Sequence, residues 1–108
     1  MTNEEFNTVL TSRLEKSASI LGKKAAEYAR GDRLSNFKRA AATLQCSPEQ
    51  ACINFWMKHV VSILDIVNDL EEGKPPAPLT LWDEKIGDAI NYLILLEALV
   101  LEPHFSKK

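Results

Sequence analysis

The chain has 108 residues, 45% of them hydrophobic and 26% charged, with a formal net charge of −2. That length fits one domain, and the near-neutral balance names no partner by overall charge. A domain this small buries only about two-thirds of its unfolded surface, so pairing with a second copy would help it.

The distribution of charge is more informative than its sum. Residues 23–39 carry six cations (Lys23, Lys24, Arg30, Arg33, Lys38, Arg39) against Glu27 and Asp32, a local balance of +4. Residues 40–105 carry three cations against ten carboxylates, a balance of −7. A local basic region can attract an anion on an acidic protein, although two solvated helix faces of opposite sign give the same pattern. Cys46 and Cys52 are spaced C-x5-C, which matches no zinc motif, and read as small, mostly buried thiols near a helix start. Residues 1–10 lack the basic and apolar regions of a signal peptide.

In chain order, Thr2-Asn3-Glu4-Glu5 reads as a capping box. Phe6, Val9, Leu10, Leu14, Ser17, Ala18, Leu21, Ala25 and Tyr28 then recur at helical spacing. The pattern predicts a first helix over residues 3–28, in which Gly22 costs about 1 kcal/mol relative to alanine. Arg30-Gly31-Asp32 marks a turn. Ser35 is a candidate cap for a short second helix over residues 35–44, with Phe37, Ala40, Ala41 and Leu44 inside. Ser47-Pro48-Glu49-Gln50 combines an N-cap serine, proline at N1 and glutamine at N3. It opens a third helix to about residue 71, with Ala51, Phe55, Val60 or Val61, Leu64, Val67 and Leu70 on its inner side and Gly73 as its stop. Residues 73–80 form a proline-rich connector. Thr80 is expected to cap a fourth helix, with Asp83 at N3, extending to about residue 101 before Pro103.

The second half of that fourth helix is apolar nearly all round, and such a helix is buried on all sides. A four-helix monomer rarely surrounds one of its helices completely. The expected fold is therefore an all-α four-helix bundle, a single domain over residues 1–108, oligomerised through the C-terminal helix. Asn91, Tyr92 and Glu97 interrupt the apolar run, which is too short and polar to span a bilayer, so a cytoplasmic location is expected.

Three polar groups stand out. Lys58, His59, Ser62, Asp65 and Asp69 lie on the third helix; Glu84, Asp88 and Asn91 share a face of the fourth; Glu27, Tyr28, Asp32, Arg33 and Asn36 surround the first turn. Facing carboxylates on antiparallel helices can hold a divalent metal, and magnesium needs only one or two of them beside phosphate oxygens. Asp88 could equally pair with Lys58 or Lys85. Trp56 and Trp82 read as packing residues before stacking platforms. No P-loop, no G-x-G-x-x-G and no nucleophile elbow is present.

The order "KKAAEYARGDRLSNFKRAA", "SPEQA", "MKHVVSILDIV", "WDEKIGDAINYLILLEAL" resembles small phage and prophage proteins of the MazG-like, all-α nucleoside triphosphate pyrophosphohydrolase type. Glu27, Tyr28, Asn36, Phe37, Lys58, Glu84, Asp88 and Tyr92 carry the resemblance, which covers about residues 20–100. It implies a helical bundle that forms dimers or tetramers in a bacterial host, with a nucleotide in a cleft between helices and often magnesium on carboxylates. Carried over, Asp65, Glu84 and Asp88 would hold magnesium. Lys58 and Arg33 would bind phosphates, Tyr28, Phe37 or Trp82 would cover the base, and Lys24, Glu27, Asn36 and His59 are further candidate ligand-binding residues. The chain departs from the pattern in two places. The third helix has no E-E-x-x-E, and Lys85 stands three residues before Asp88, where like-charge repulsion opposes a metal. Three readings follow: a protein that binds a nucleotide without chemistry, such as one sequestering a host immune signal; a magnesium-dependent pyrophosphohydrolase; and a helical module that docks on a host protein.

Overall fold

The computed structural model describes residues 1–24 and 31–105, which form helices and connecting turns with no strand among them. The chain divides into two compact units, Met1–Arg33 and Leu34–Lys108.

The first unit holds α1, Asn3–Ser19, followed by a π-helical turn, Ile20–Lys24. The expected Thr2 cap forms: the Thr2 hydroxyl accepts from the Glu5 backbone N–H at 3.1 Å, and the Glu5 carboxylate accepts from that same hydroxyl at 3.2 Å. The α-helix expected over residues 3–28 changes register at Ile20, whose N–H is shared between the carbonyls of Lys16 and Ser17. Gly22 lies in the altered turn, where a residue without a side chain gives the α-register least support. The rest of the expected helix, including Glu27 and Tyr28, lies outside the described residues.

The second unit comprises α2 (Ser35–Leu44), α3 (Pro48–Glu71) and α4 (Leu79–His104). Ser35 is not the cap of α2. That place belongs to Leu34, whose carbonyl accepts from Phe37 and Lys38 N–H at 3.1 and 3.3 Å while its side chain plugs the core. Packing of the leucine takes the place of a side-chain cap. At the other end Gln45 is left-handed (φ 56°), and the Cys46 N–H reaches the Ala41 carbonyl at 3.0 Å, the closing bond of a Schellman turn.

The start of α3 agrees with its sequence. Ser47 Oγ accepts from the Gln50 N–H at 3.0 Å, Pro48 occupies the first turn, and Gly73 follows the helix at φ 80°. The limits of α4 differ from expectation. Its N-cap is Pro78, whose carbonyl accepts from Leu81 and Trp82 N–H at 2.9 and 3.3 Å, so Thr80 and Asp83 lie inside the helix. Proline fixes the φ that the entry needs and has no N–H to satisfy. At the far end the helix runs through Pro103 to His104, and the Phe105 N–H still bonds the Leu101 carbonyl at 3.1 Å. Pro103 therefore removes one hydrogen bond from the last turn without ending it.

Leu34, Phe37, Cys52 and Leu99 form the buried core of this unit, with Phe55, Tyr92, Leu95, Leu96 and Ala98 packed around them. Each fully buried large side chain contributes about 1.5–3 kcal/mol. On α3 the inner face is Ala51, Cys52, Phe55 and Ile66, rather than the stripe through Val61 and Leu64. The helix carries two apolar faces, and Met57, Val61 and Leu64 form the outer one, about half exposed. The C-terminal helix is likewise not enclosed within one chain. Gly87, Asn91 and Leu99 are buried, whereas Ile86, Leu93, Ile94 and Leu101 are 36–51% exposed. These four fall on one side of α4, interrupted by Glu97.

Candidate functional site

The polar residues that the fold brings together lie where α3 and α4 pack against each other. His59 and Tyr92 stack with ring centroids 5.0 Å apart and planes inclined by 29°. The His59 Nδ1 atom stands 3.7 Å from Asp88 Oδ2, a separation that supports an ion pair when the imidazole is protonated. Histidine and aspartate remain partly open to solvent, at 24% and 39% of their side-chain surface. Nearer the start of α3, the Cys52 thiol donates to the Tyr92 carbonyl at 3.4 Å.

This surrounding alters two acids. Burial, then the negative charge of Asp88, then Cys52, push the Tyr92 phenol above its ordinary 10.0. Burial also raises the Cys52 thiol from 9.0. Both groups are thereby kept protonated and neutral. Cys46 and Cys52 are both free thiols; Cys52 is buried and Cys46 only partly so.

Two buried polar atoms on the same helix pair have no hydrogen-bond partner: the Trp56 indole Nε1 and Asn91 Oδ1. Trp56 lies between Cys52 and His59 along α3, and Asn91 precedes Tyr92 along α4, so both stand at the level of the His59–Tyr92 stack. A buried donor or acceptor left unpaired costs about 1–3 kcal/mol. Nothing in the sequence pattern marked these two atoms. Asn91 was legible as a polar interruption of an apolar helix that shares a face with Glu84 and Asp88, and Trp56 as a packing residue before a stacking platform.

The other sequence-derived candidates are dispersed. Lys58 is exposed beside His59 on α3. Phe37 lies in the core, its ring 6.2 Å from those of both Phe55 and Tyr92. Asn36 is exposed in the first turn of α2, and Trp82 is half-buried near the start of α4. Lys38, from the basic stretch, is paired with Glu102 at 2.5 Å. In the first unit, the Arg33 guanidinium donates to the Leu21 carbonyl and Lys24 closes the π turn. Glu27 and Tyr28 lie outside the described residues.

Asp65 and Glu84 are exposed, and Asp88 faces His59 rather than Lys58 or Lys85. Among the described residues no three His, Cys, Asp or Glu side chains converge to hold a metal ion. The carboxylates therefore do not make a preformed magnesium site, and no chemical step is routed through one. No described helix is long and apolar enough to cross a membrane. No family model, no curated protein and no solved structure matches the chain.

Proposed function

We propose that the chain is a nucleotide-binding protein, without chemistry of its own, that works as a homo-oligomer packed through its C-terminal helix. The observation that carries the nucleotide reading is the His59–Asp88–Tyr92 group with Trp56 Nε1 and Asn91 Oδ1 unpaired at its level. An indole donor and an amide acceptor are complementary to the edge of a nucleobase. A small opening between α3 and α4 would let a ligand satisfy both. Lys58 supplies an exposed cation for a phosphate, in keeping with the anion-binding role that the sequence suggests.

The oligomer reading has a separate support. The outer faces of α3 and α4 expose Met57, Val61 and Leu64, and Ile86, Leu93, Ile94 and Leu101. Contiguous apolar faces of this kind are rare on monomers and mark interaction surfaces. Sequestration of a phosphorylated signal requires only this binding.

Trp56 provides the test. In the Trp82→Phe variant it is the remaining tryptophan, and its emission should shift as ATP, dATP or a cyclic dinucleotide is titrated in with magnesium. Lys58→Ala should weaken the apparent affinity about tenfold, as expected for loss of a hydrogen bond to a charged group. An emission spectrum that stays constant to about 1 mM of each probe, the upper end of common substrate affinities, would contradict the proposal.

A further inference from the structure

The connector between α3 and α4 holds more proline than the two helix ends use. Gly73 ends α3 by itself: it is left-handed at φ 80°, and the Lys74 N–H closes the turn on the Asp69 carbonyl at 3.0 Å. Pro78 starts α4 by itself, through the carbonyl that accepts from Leu81 and Trp82 N–H. Neither cap involves Pro75 or Pro76, and both of these prolines are exposed. Leu79, the first residue of α4, is 83% exposed beside them.

The prolines also set the shape of the segment. Each fixes its own φ near about −65° and drives the residue before it into extended backbone, a rule that reaches Lys74, Pro75 and Ala77. Pro78 stands at φ −56° and ψ 145°, in the polyproline II region. That helix has about three residues per turn, so Pro75 and Pro78 fall on one edge. Among the described residues, no backbone N–H donates to the carbonyls of Pro75, Pro76 or Ala77. Both ends are anchored, one by α4 and the other by the α3 cap, where Lys74 Nζ lies 3.0 Å from Glu72 and 3.4 Å from Asp69. A segment held in this way loses little conformational freedom when it docks.

We infer that residues 74–79 are a docking segment for a second protein, one whose aromatic-lined groove reads polyproline II. Aromatic rings of the groove pack on the edge formed by Pro75 and Pro78, and its N–H or O–H donors meet the free carbonyls between them. Leu79 adds exposed apolar surface where the segment enters α4. The flanking charge states which rim the groove carries. Asp69, Glu71 and Glu72 stand against Lys74 alone, and Lys74 is already shared between two of these carboxylates. The flank is therefore acidic and fits a basic rim. This docking requires neither the nucleotide nor the oligomer.

An NMR titration of the isotope-labelled full-length chain with an SH3 domain, and separately with a WW domain, tests the segment. The amides of Gly73, Lys74, Ala77 and Leu79 bracket it. At least one of the two domains should shift these signals in a saturable way below about 1 mM, leaving those of Met57, Val61 and Leu64 in place. Pro75→Ala, which alters neither helix cap, should weaken that binding about tenfold, as for loss of one strong interface contact. No shift with either domain up to about 1 mM would overturn the inference. So would shifts confined to the outer faces of α3 and α4, or binding undiminished in Pro75→Ala.

Discussion

Tyr92 joins the core of the second unit to its polar cluster. Its ring packs on Phe37 in the core and stacks on His59 at the cluster, and its carbonyl takes the Cys52 thiol. The raised acid of Tyr92 has a direct consequence for stability. A group that holds its proton more tightly folded than unfolded contributes stability that is full below its unfolded value and lost as pH rises through the folded one. For Cys52 that loss begins above 9.0, and for Tyr92 above 10.0. The melting temperature should therefore fall progressively in alkali above 9.0. Tyr92→Phe should flatten the limb above 10.0 when compared with wild type across the same pH series; identical alkaline limbs in the two proteins would exclude a titrating Tyr92. The sequence made His59, Asp88 and Tyr92 legible as polar positions on two helices. It did not reveal that they meet, because the pairing depends on which of the two apolar faces of α3 turns inward.

Between residues and fold, local chemistry was readable wherever one side chain closes a helix end by itself. Thr2, Ser47 and Gly73 act where their residue types predict. Ser47→Ala removes the acceptor of the Gln50 N–H and should destabilise the second unit by about 1 kcal/mol in chemical denaturation. An unchanged midpoint would mean that the first turn of α3 is held by packing instead. The misplaced boundaries share a cause. Leu34 and Pro78 begin helices with backbone carbonyls alone, one fixed by burial and the other by its ring, and neither carries the oxygen that marks a cap in sequence. Pro103 is tolerated near the end of α4 because a last turn has few bonds left to lose. The π turn at Ile20–Lys24 follows from a weakness that was visible, Gly22, but its geometry was not.

For the molecule as a whole, the apolar content of α4 was plain in sequence and its cover was not. Enclosure by its own chain is contradicted by the exposed Leu93, Ile94 and Leu101. Hydrophobic patterning states how much surface must be buried without stating which copy buries it. The nucleotide proposal stands on the polar cluster between α3 and α4, and one incubation tests it directly. The purified chain is mixed with magnesium, nucleoside and deoxynucleoside triphosphates and cyclic dinucleotides, then filtered. Each species is quantified in the filtrate and in the heat-denatured retentate. Binding without chemistry predicts one intact nucleotide depleted from the filtrate and recovered from the retentate, with no pyrophosphate formed. Monophosphate and pyrophosphate in the filtrate would contradict it, and a filtrate unchanged in every species would contradict nucleotide binding for all the ligands offered.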